Sequence, residues 1–173
     1  MNPTNQLEDF IRQHGEELLR LAYTYVKSRH VAEDVVQDVL IKAFEKPEAF
    51  RGDSQYRTYL YRMTINQCKD YLKSWQYRKT IITDTLRNRT AATQRIGPDD
   101  EQILGQQILA LPVHFREVLV LYYYKELNTR EIGELLLIPE NTVKTRLQRG
   151  RKQLKLNLER GGYDARYFYQ NEY

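Results

Sequence analysis

Apolar residues recur at intervals of three or four along most of this chain, which is the spacing of helices that bury one side. The pattern predicts a first helix from Leu7 to Val26, a second from about Val31 to Glu45 and a third from Tyr56 to about Tyr77. The second helix is expected to bury six residues in a core: Ala32, Val35, Val36, Val39, Leu40 and Phe44. In the third, the corresponding stripe consists of Tyr56, Leu60, Met63, Thr64 and Tyr71. We expect these helices to form one small domain, residues 1–77.

Two stretches interrupt the helical pattern. The first, from Lys46 to Gln55, is predicted to be a loop, because Pro47 cannot continue the second helix. Over residues 78–100, five threonines, a glycine and a proline replace the apolar stripe, which predicts an extended and flexible linker. The chain is therefore expected to be all-α, with two small helical domains joined by this linker. A tail, residues 161–173, has no periodicity that indicates a role.

The second domain, residues 101–160, is predicted to contain four short helices. Pro112 stands at the start of the second of them, where proline is tolerated. Asn128 and Glu131 have the spacing of a capping box at the start of the third. Pro139 follows where a fourth helix can begin. Helices separated by so short a turn form a helix-turn-helix unit.

The turn of this unit contains one unusual residue. Gly133, on the inner side of the third helix, would let the two helices approach closely. Leu137, however, stands where glycine is common in such turns, and a branched side chain resists positive φ. Either the turn closes in another way or Leu137 is strained.

The fourth helix of the second domain begins near Glu140 and has two sides of different chemistry. One is an apolar stripe of Val143, Leu147, Gly150, Leu154 and Leu158. The opposite side carries Asn141, Thr145, Gln148, Arg149 and Lys152. Amides, hydroxyls and guanidinium groups on one exposed face can reach the base edges and phosphates of duplex DNA. A solvated basic surface helix is the alternative, but the preceding helix, the turn and Pro139 together favour a recognition helix.

The charge of the chain is local, and its reactive residues are few. Net charge is only +4, yet between Lys144 and Arg160 a single acid, Glu159, opposes the lysines and arginines, which is typical of a binding face. Cys68 is the only cysteine, which excludes a disulfide framework and a multi-cysteine zinc site, and we expect it to be a packing residue. The three histidines are scattered and no glycine-rich phosphate loop occurs, so no metal, cofactor, small-molecule substrate or enzymatic activity is expected.

No apolar run approaches the roughly 20 residues of a membrane span, and no signal peptide is evident, so we expect a cytoplasmic location.

Two helices of the first domain allow both a structural and a binding interpretation. Acids near the start of the second helix, such as Glu33 and Asp34, suit the positive end of the helix dipole, but they could equally form a docking face for a basic partner helix. In the third helix, aromatic residues interleave with a polar stripe, as suits the stacking of unpaired bases, although aromatics at helical spacing more often form a core. The aromatics are Tyr59, Tyr61 and Trp75, and the polar stripe consists of Arg62, Asn66, Lys69 and Lys73.

Three segments, taken in order, resemble a known family. They are AEDVVQDVLIKAF, FRGDSQYRTYLYRMTINQCKDYL and, beyond the linker, LPVHFREVLVLYYYKELNTREIGELLLIPENTVKTRLQRGRKQL. Together they are similar to the extracytoplasmic-function sigma factors, a group of the sigma-70 family of bacterial RNA polymerase, over nearly all of the chain from Leu18 to Leu156. The resemblance implies a protein that binds core polymerase and directs promoter-specific initiation, in a stress or envelope response. A stand-alone helix-turn-helix regulator, which should dimerise on a twofold DNA site, is the alternative.

The resemblance also implies roles for individual residues. Binding to the clamp helices of the largest polymerase subunit is expected of Asp34, Gln37 and Asp38. Capture of a flipped base and melting at the minus-ten promoter element are expected of Phe50, Arg51, Gly52, Asp53, Ser54, Tyr56, Tyr59, Arg62, Asn66, Lys69 and Lys73. Contacts to the duplex minus-thirty-five element are expected of Asn141, Thr142, Lys144, Thr145, Arg146, Gln148 and Arg149. The family often has glycine at the positions of Leu137 and Asn141, so the promoter sequence read by this helix stays open.

Further partners follow from the resemblance alone. The second domain is expected to contact the flap of the second-largest polymerase subunit, and the linker to run toward the active-site cleft. Family members are commonly held inactive by an anti-sigma factor anchored in the membrane, so such a partner is expected here and could hold the protein at the membrane. Nothing in the residues identifies it.

Overall fold

The computed structural model describes residues 3–45, 53–74 and 100–163, and within these ranges the chain forms seven α-helices and no strand. The chain divides into two compact units, which confirms the all-α, two-domain prediction. The first unit contains α1 (Pro3–Val26), α2 (Arg29–Glu45) and α3 (Asp53–Lys73). The second contains α4 (Asp100–Ala110), α5 (Val113–Tyr123), α6 (Thr129–Leu136) and α7 (Glu140–Arg160).

The first unit is a three-helix bundle in which each helix packs on the other two. Its core is apolar and includes Leu18, Leu21, Ala22, Val35, Val39, Leu60 and Cys68. Phe44 was predicted to belong to this core but is 40% exposed, whereas Ala43 is buried. The stripe of α2 passes from Val39 to Ala43, and Phe44 lies roughly 100° further around the helix.

The start of α3 also differs from the prediction. The helix begins at Asp53, so Asp53, Ser54 and Gln55, the last three residues of the predicted loop, are helical. Aspartate and serine are common in turns, but both are also favoured at helix N-termini. The predicted loop residues 46–52, the end of the predicted third helix at 75–77 and nearly all of the predicted linker lie outside the described residues.

A polar network joins α1 to α3 beside the apolar core. The Arg57 guanidinium donates to the Glu17 carboxylate at 2.7 Å, and the Tyr61 hydroxyl donates to the same carboxylate. Tyr61, predicted to lie between the faces of its helix, is only 2% exposed. Burial, and then the Glu17 carboxylate, raise the pKa of the Tyr61 phenol. Cys68 is fully buried, as predicted for a packing residue, and burial raises the pKa of its thiol to about 12.

The second unit is organised around α5, which packs on α6 and α7. Six consecutive residues of α5 are buried, from Arg116 to Leu121, because neighbouring elements cover several sides of this helix. The Arg116 guanidinium donates to the carbonyl oxygens of Leu109 and Leu111 at 2.7 and 2.8 Å. It therefore satisfies carbonyl groups at the end of α4, which a helix leaves without backbone partners.

Candidate nucleic-acid interface

The helix-turn-helix unit starts with the capping box that the sequence predicted. The Asn128 side-chain oxygen accepts from the backbone N–H of Glu131 at 2.9 Å, and the Glu131 carboxylate accepts from the backbone N–H of Asn128 at 2.8 Å. Both bonds satisfy N–H groups that the start of α6 would otherwise leave unpaired. Ile132, Leu135 and Leu136 then bury the inner side of the helix.

The turn between α6 and α7 requires a left-handed residue, and Leu137 supplies it with φ 57° and ψ 45°. Its side chain is 75% exposed. A Cβ atom on Gly133 would lie 2.9 Å from the carbonyl oxygen of Ile138, so a larger residue there would collide with backbone. The sequence left two alternatives, a turn that closes in another way or a strained Leu137. The structure has the second: the helices approach closely and Leu137 is strained.

The two sides of α7 are divided as predicted. All five residues of the apolar stripe are buried, and they are Val143, Leu147, Gly150, Leu154 and Leu158. All five residues of the opposite side are exposed, namely Asn141, Thr145, Gln148, Arg149 and Lys152. At Gly150 the fit is close, because an added Cβ would lie 3.2 Å from Leu119 and 3.3 Å from Phe115 of α5. The polar side of α7 is thus held outward by tight packing behind it.

Contacts within the unit orient the first turns of α7. Glu140 accepts from the Thr129 hydroxyl at 2.7 Å and pairs with Lys144 at 2.9 Å, and these two bonds lower the pKa of its carboxyl group. The Thr145 hydroxyl donates to the Asn141 carbonyl oxygen at 2.9 Å. Thr142, also predicted to contact DNA, is half-buried. The start of α7 is therefore held by a hydrogen bond to α6 and by contacts within its own first turns.

Arg146, unlike Arg149, pairs with a residue of α5. Its guanidinium lies 3.0 Å from the carboxylate of Glu117 in α5, and only 27% of its side chain is exposed. Arg146 and Arg149 also line a groove of about 360 Å³ between the starts of α5 and α7, together with His114, Phe115 and Asn141. Glu117 was missed by the sequence reasoning, because an acid within an apolar run gives no sign of which way it faces.

The acidic residues of α2 lie on its exposed side. Asp34, Gln37 and Asp38, the predicted polymerase-binding residues, are all exposed. Because α2 begins at Arg29, no acid lies in its first turn, and the helix-dipole interpretation of Glu33 and Asp34 is wrong. Asp38 accepts from the Gln67 amide of α3 at 3.3 Å, so the face continues onto the next helix.

Apolar residues adjoin this acidic face. Ile41 is 50% exposed, and Phe44 lies beside it on the same helix. Both line a shallow groove of about 400 Å³ between α1 and α2, to which Leu19 and Leu40 also contribute. The surface of α2 therefore combines exposed carboxylates with exposed apolar side chains.

The predicted minus-ten residues of α3 fall into two environments. Tyr56 is 3% exposed, burial raises the pKa of its phenol to about 12, and its ring stacks on Tyr59 at 6.4 Å between centroids. Asn66 and Lys73 are exposed, whereas Tyr59, Arg62 and Lys69 are half-buried. Asp53 and Ser54 lie in the first turn of the helix. Phe50, Arg51 and Gly52 lie outside the described residues.

Nowhere in the described ranges do three His, Cys, Asp or Glu side chains group so that they could hold a metal ion. None of the described helices combines the length and apolarity that crossing a bilayer requires.

Two family models match this sequence. A model of sigma-70 region 2 matches residues 10–78, and a model of sigma-70 region 4 matches residues 101–154. The ECF RNA polymerase sigma factor SigW of Bacillus subtilis (strain 168) is 32% identical over 164 residues, which cover 87% of each chain. The ECF RNA polymerase sigma-E factor of Escherichia coli (strain K12) is 29% identical over 155 residues, which cover 82% of this chain and 81% of that one.

Solved structures share the fold. The sigma factor RpoE from Bartonella quintana, in complex with the anti-sigma factor NepR, matches with a TM-score of 0.67 and 20% identity, over 89% of this chain and 97% of that one. CnrH, in complex with the cytosolic domain of CnrY, matches with a TM-score of 0.64 and 22% identity, over 90% of this chain and 89% of that one.

Proposed function

This chain belongs to the extracytoplasmic-function group of the sigma-70 family, and from that premise we propose how its residues divide the work of a sigma factor. As a sigma factor it binds core RNA polymerase and directs initiation at promoters. We assign polymerase binding to α2, minus-ten recognition and melting to α3 and the residues 50–52 before it, and minus-thirty-five recognition to α7. The protein itself makes and breaks no covalent bond. The polymerase carries out the chemistry of RNA synthesis.

The polar side of α7 carries the proposal for duplex recognition. Its buried stripe is continuous, and the residues opposite it offer amide, hydroxyl and guanidinium groups. Amides can pair bidentately with adenine and guanidinium groups with guanine, while further donors hold phosphates. We therefore propose that Asn141, Thr145 and Gln148 face the bases in the major groove, while Arg149, Thr142 and Lys144 lie beside them at the phosphates.

The exposed face of α2 carries the proposal for polymerase docking. Carboxylates of Asp34 and Asp38 lie beside Gln37 and the apolar Ile41 and Phe44. A partner helix with basic and apolar residues would bury the apolar side chains and pair with the acids, which is how amphipathic helices bind grooves. The same face would suit an anti-sigma factor, since a protein that covers it would exclude the polymerase.

For the minus-ten element we propose a divided role for α3. Tyr56 is buried and supports the helix from within, so its ring is not the surface that stacks on a base. Asn66 and Lys73, with the half-buried Tyr59, Arg62 and Lys69, are the residues that unpaired DNA can reach. Capture of a flipped base is assigned to residues 50–54, at and before the start of α3, because extruding a base needs a pocket that offsets a few kcal/mol of lost stacking.

Location and regulation follow from this function. A factor that works with RNA polymerase acts in the bacterial cytoplasm. We propose that an anti-sigma factor, with a membrane anchor of its own, holds this protein inactive until a stress or envelope signal releases it. RpoE, which shares the fold, was solved in complex with the anti-sigma factor NepR, and CnrH, which also shares it, in complex with the cytosolic domain of CnrY.

Transcript mapping tests the proposed function directly. Purified protein is added to bacterial core RNA polymerase with sheared DNA from the source organism, and start sites are mapped with and without it. We expect new starts that depend on the protein and share two upstream motifs at fixed spacing. If no complex and no new starts appear, the better account is a stand-alone DNA-binding regulator, and the search would turn to a dimer on a twofold site.

A further inference from the structure

Glu117 is a buried carboxylate at the junction of α5 with α7, the helix that carries the proposed contacts to duplex DNA. Only 4% of the residue is exposed, and it stands in α5 next to the fully buried Val118. A carboxylate withdrawn from water in this way is costly unless a cation pairs with it. Arg146 of α7 supplies that cation, with 3.0 Å between Nη1 and Oε1.

This pairing separates Arg146 from its neighbour Arg149. The two residues lie three apart on α7 and line the same groove, so either could reach a DNA phosphate by its position alone. The Arg149 side chain is exposed and forms no ion pair or hydrogen bond with any described residue. The Arg146 charge, in contrast, is neutralised by Glu117.

The Glu117 ion pair also fixes how α7 sits on α5. Gly150 holds the middle of α7 against Phe115 and Leu119, where an added Cβ would be 3.2–3.3 Å from their side chains. The contact between Arg146 and Glu117 adds a second point, about one turn nearer the start of α7. Two points of attachment determine the rotation of a helix about its axis, and that rotation decides which side chains face the bases.

We infer that Glu117 is a positioning residue for promoter recognition: it holds Arg146 at the helix junction, sets the rotation of α7, and leaves Arg149 to pair with phosphate. The inference rests on the proposed function and deepens it, since it removes Arg146 from the predicted DNA contacts and adds a residue outside the helix-turn-helix. Glu117 itself touches no DNA. It keeps one cation away from the duplex, so that binding depends more on base contacts and less on charge.

Salt dependence measures how many cations of the protein pair with phosphates, because each contact contributes about −0.9 to the slope of log K against log salt concentration. The slope is measured for holoenzyme made with the full chain, on a promoter found by transcript mapping and on the same DNA with its minus-thirty-five element scrambled. Four proteins are compared: the unsubstituted chain, Arg149→Ala, Glu117→Gln, and the double variant Glu117→Leu with Arg146→Met. Helical spectra and thermal unfolding of each variant show whether it folds.

Arg149→Ala is the control and should make the slope shallower by about one. The double variant replaces the buried ion pair by apolar residues of similar size, a change that folded proteins often accept, and should keep the original slope. Glu117→Gln releases Arg146, so the slope should become steeper by about one while the preference for the intact element falls several-fold.

A double variant with the shallower slope of Arg149→Ala would overturn the inference, because Arg146 would then be a phosphate contact. An unchanged preference in a folded Glu117→Gln holoenzyme would overturn it as well. Failure of the proposed function would look different: Arg149→Ala would leave both the slope and the preference unchanged.

Discussion

At the scale of single residues, the backbone preference of Leu137 opposes the packing of α6 against α7 in the turn between them. Leu137 holds φ 57°, a left-handed conformation that costs a branched L-residue roughly 1–2 kcal/mol. The cost is accepted because Gly133 brings α7 within backbone contact of α6, and the chain must reverse in the few residues between them. Burial does not compensate for the strain, since 75% of Leu137 is exposed.

Leu137→Gly should therefore stabilise the protein. Glycine adopts the left-handed conformation without strain, and after its larger loss of backbone entropy the free energy of unfolding should rise by about 0.5–1 kcal/mol. Urea unfolding of the second unit measures the change. Leu137→Ala is the matched control, because it removes the exposed side chain but keeps a Cβ and hence the strain. Equal effects of the two substitutions would show that backbone strain is not the cause.

Gly133→Ala should have the opposite effect. The added Cβ would lie 2.9 Å from the Ile138 carbonyl oxygen, and backbone cannot move aside as a flexible side chain can. We expect a loss of about 1–3 kcal/mol in the free energy of unfolding. Gly105→Ala in α4 is the control, because nothing lies within 4 Å of its added Cβ, and there the better helix propensity should stabilise by about 0.5–1 kcal/mol. Thermal unfolding that ranks the two substitutions the other way round would contradict the close approach of Gly133 to the Ile138 carbonyl oxygen.

At the scale of elements, α2 and α7 present exposed faces of opposite charge. On α7, polar and basic side chains oppose a completely buried stripe. On α2, carboxylates lie beside partly exposed apolar side chains, and the nearest cations, such as Arg29 and Lys42, contact side chains of the bundle itself. One face suits DNA and the other suits a basic helix of a protein.

Asp38→Arg should abolish binding to core polymerase without unfolding the protein. The residue is exposed, so its loss leaves the core intact, while a cation in its place would repel a basic partner helix. Co-elution with core polymerase measures binding, and the helical spectrum reports folding. Asp70→Arg changes the charge equally at an exposed position of α3 and should leave binding nearly unchanged. If Asp38→Arg bound normally with an intact helical spectrum, α2 would not be the docking face.

At the scale of the whole molecule, each of the two compact units buries its own core. In the proposed function each unit contacts one promoter element, and a single contact of this kind with DNA is expected to be weak. When polymerase holds both units at the spacing of two promoter elements, the second contact forms at high effective concentration and adds to the first. Specificity then belongs to the assembly rather than to the isolated chain.

The isolated full chain should therefore bind promoter DNA weakly and with a steep salt dependence, as non-specific binders do with dissociation constants of about 10⁻⁴–10⁻⁶ M at physiological salt. The holoenzyme should bind the same fragment far more tightly and lose most of that affinity on a fragment with both elements scrambled. Filter binding over a range of salt concentrations compares the two. Tight, sequence-specific binding by the isolated chain in physiological salt would contradict this division of labour.

Much of this protein could be predicted from its sequence because helical periodicity is a local property. The stripe of α7, the capping box at Asn128 and the place of Leu137 in the turn after α6 each depend on residues within a few turns, and all three are confirmed. The predictions that failed needed knowledge of neighbours. Phe44 and Tyr61 are large and apolar enough for either side of a helix, and only the packing of α1, α2 and α3 decided that Tyr61 is buried and Phe44 is exposed.

The sequence by itself determined that the chain is helical, that it has two units, and which side of α7 carries its polar groups. Only the tertiary structure decided that Leu137 accepts strain, that Tyr56 lies inside the bundle, and that Glu117 pairs with Arg146. The physical reason is the distance along the chain over which each interaction acts. Periodicity and capping act within one helix, whereas burial and ion pairing depend on side chains that the fold brings together from positions as far apart as 117 and 146.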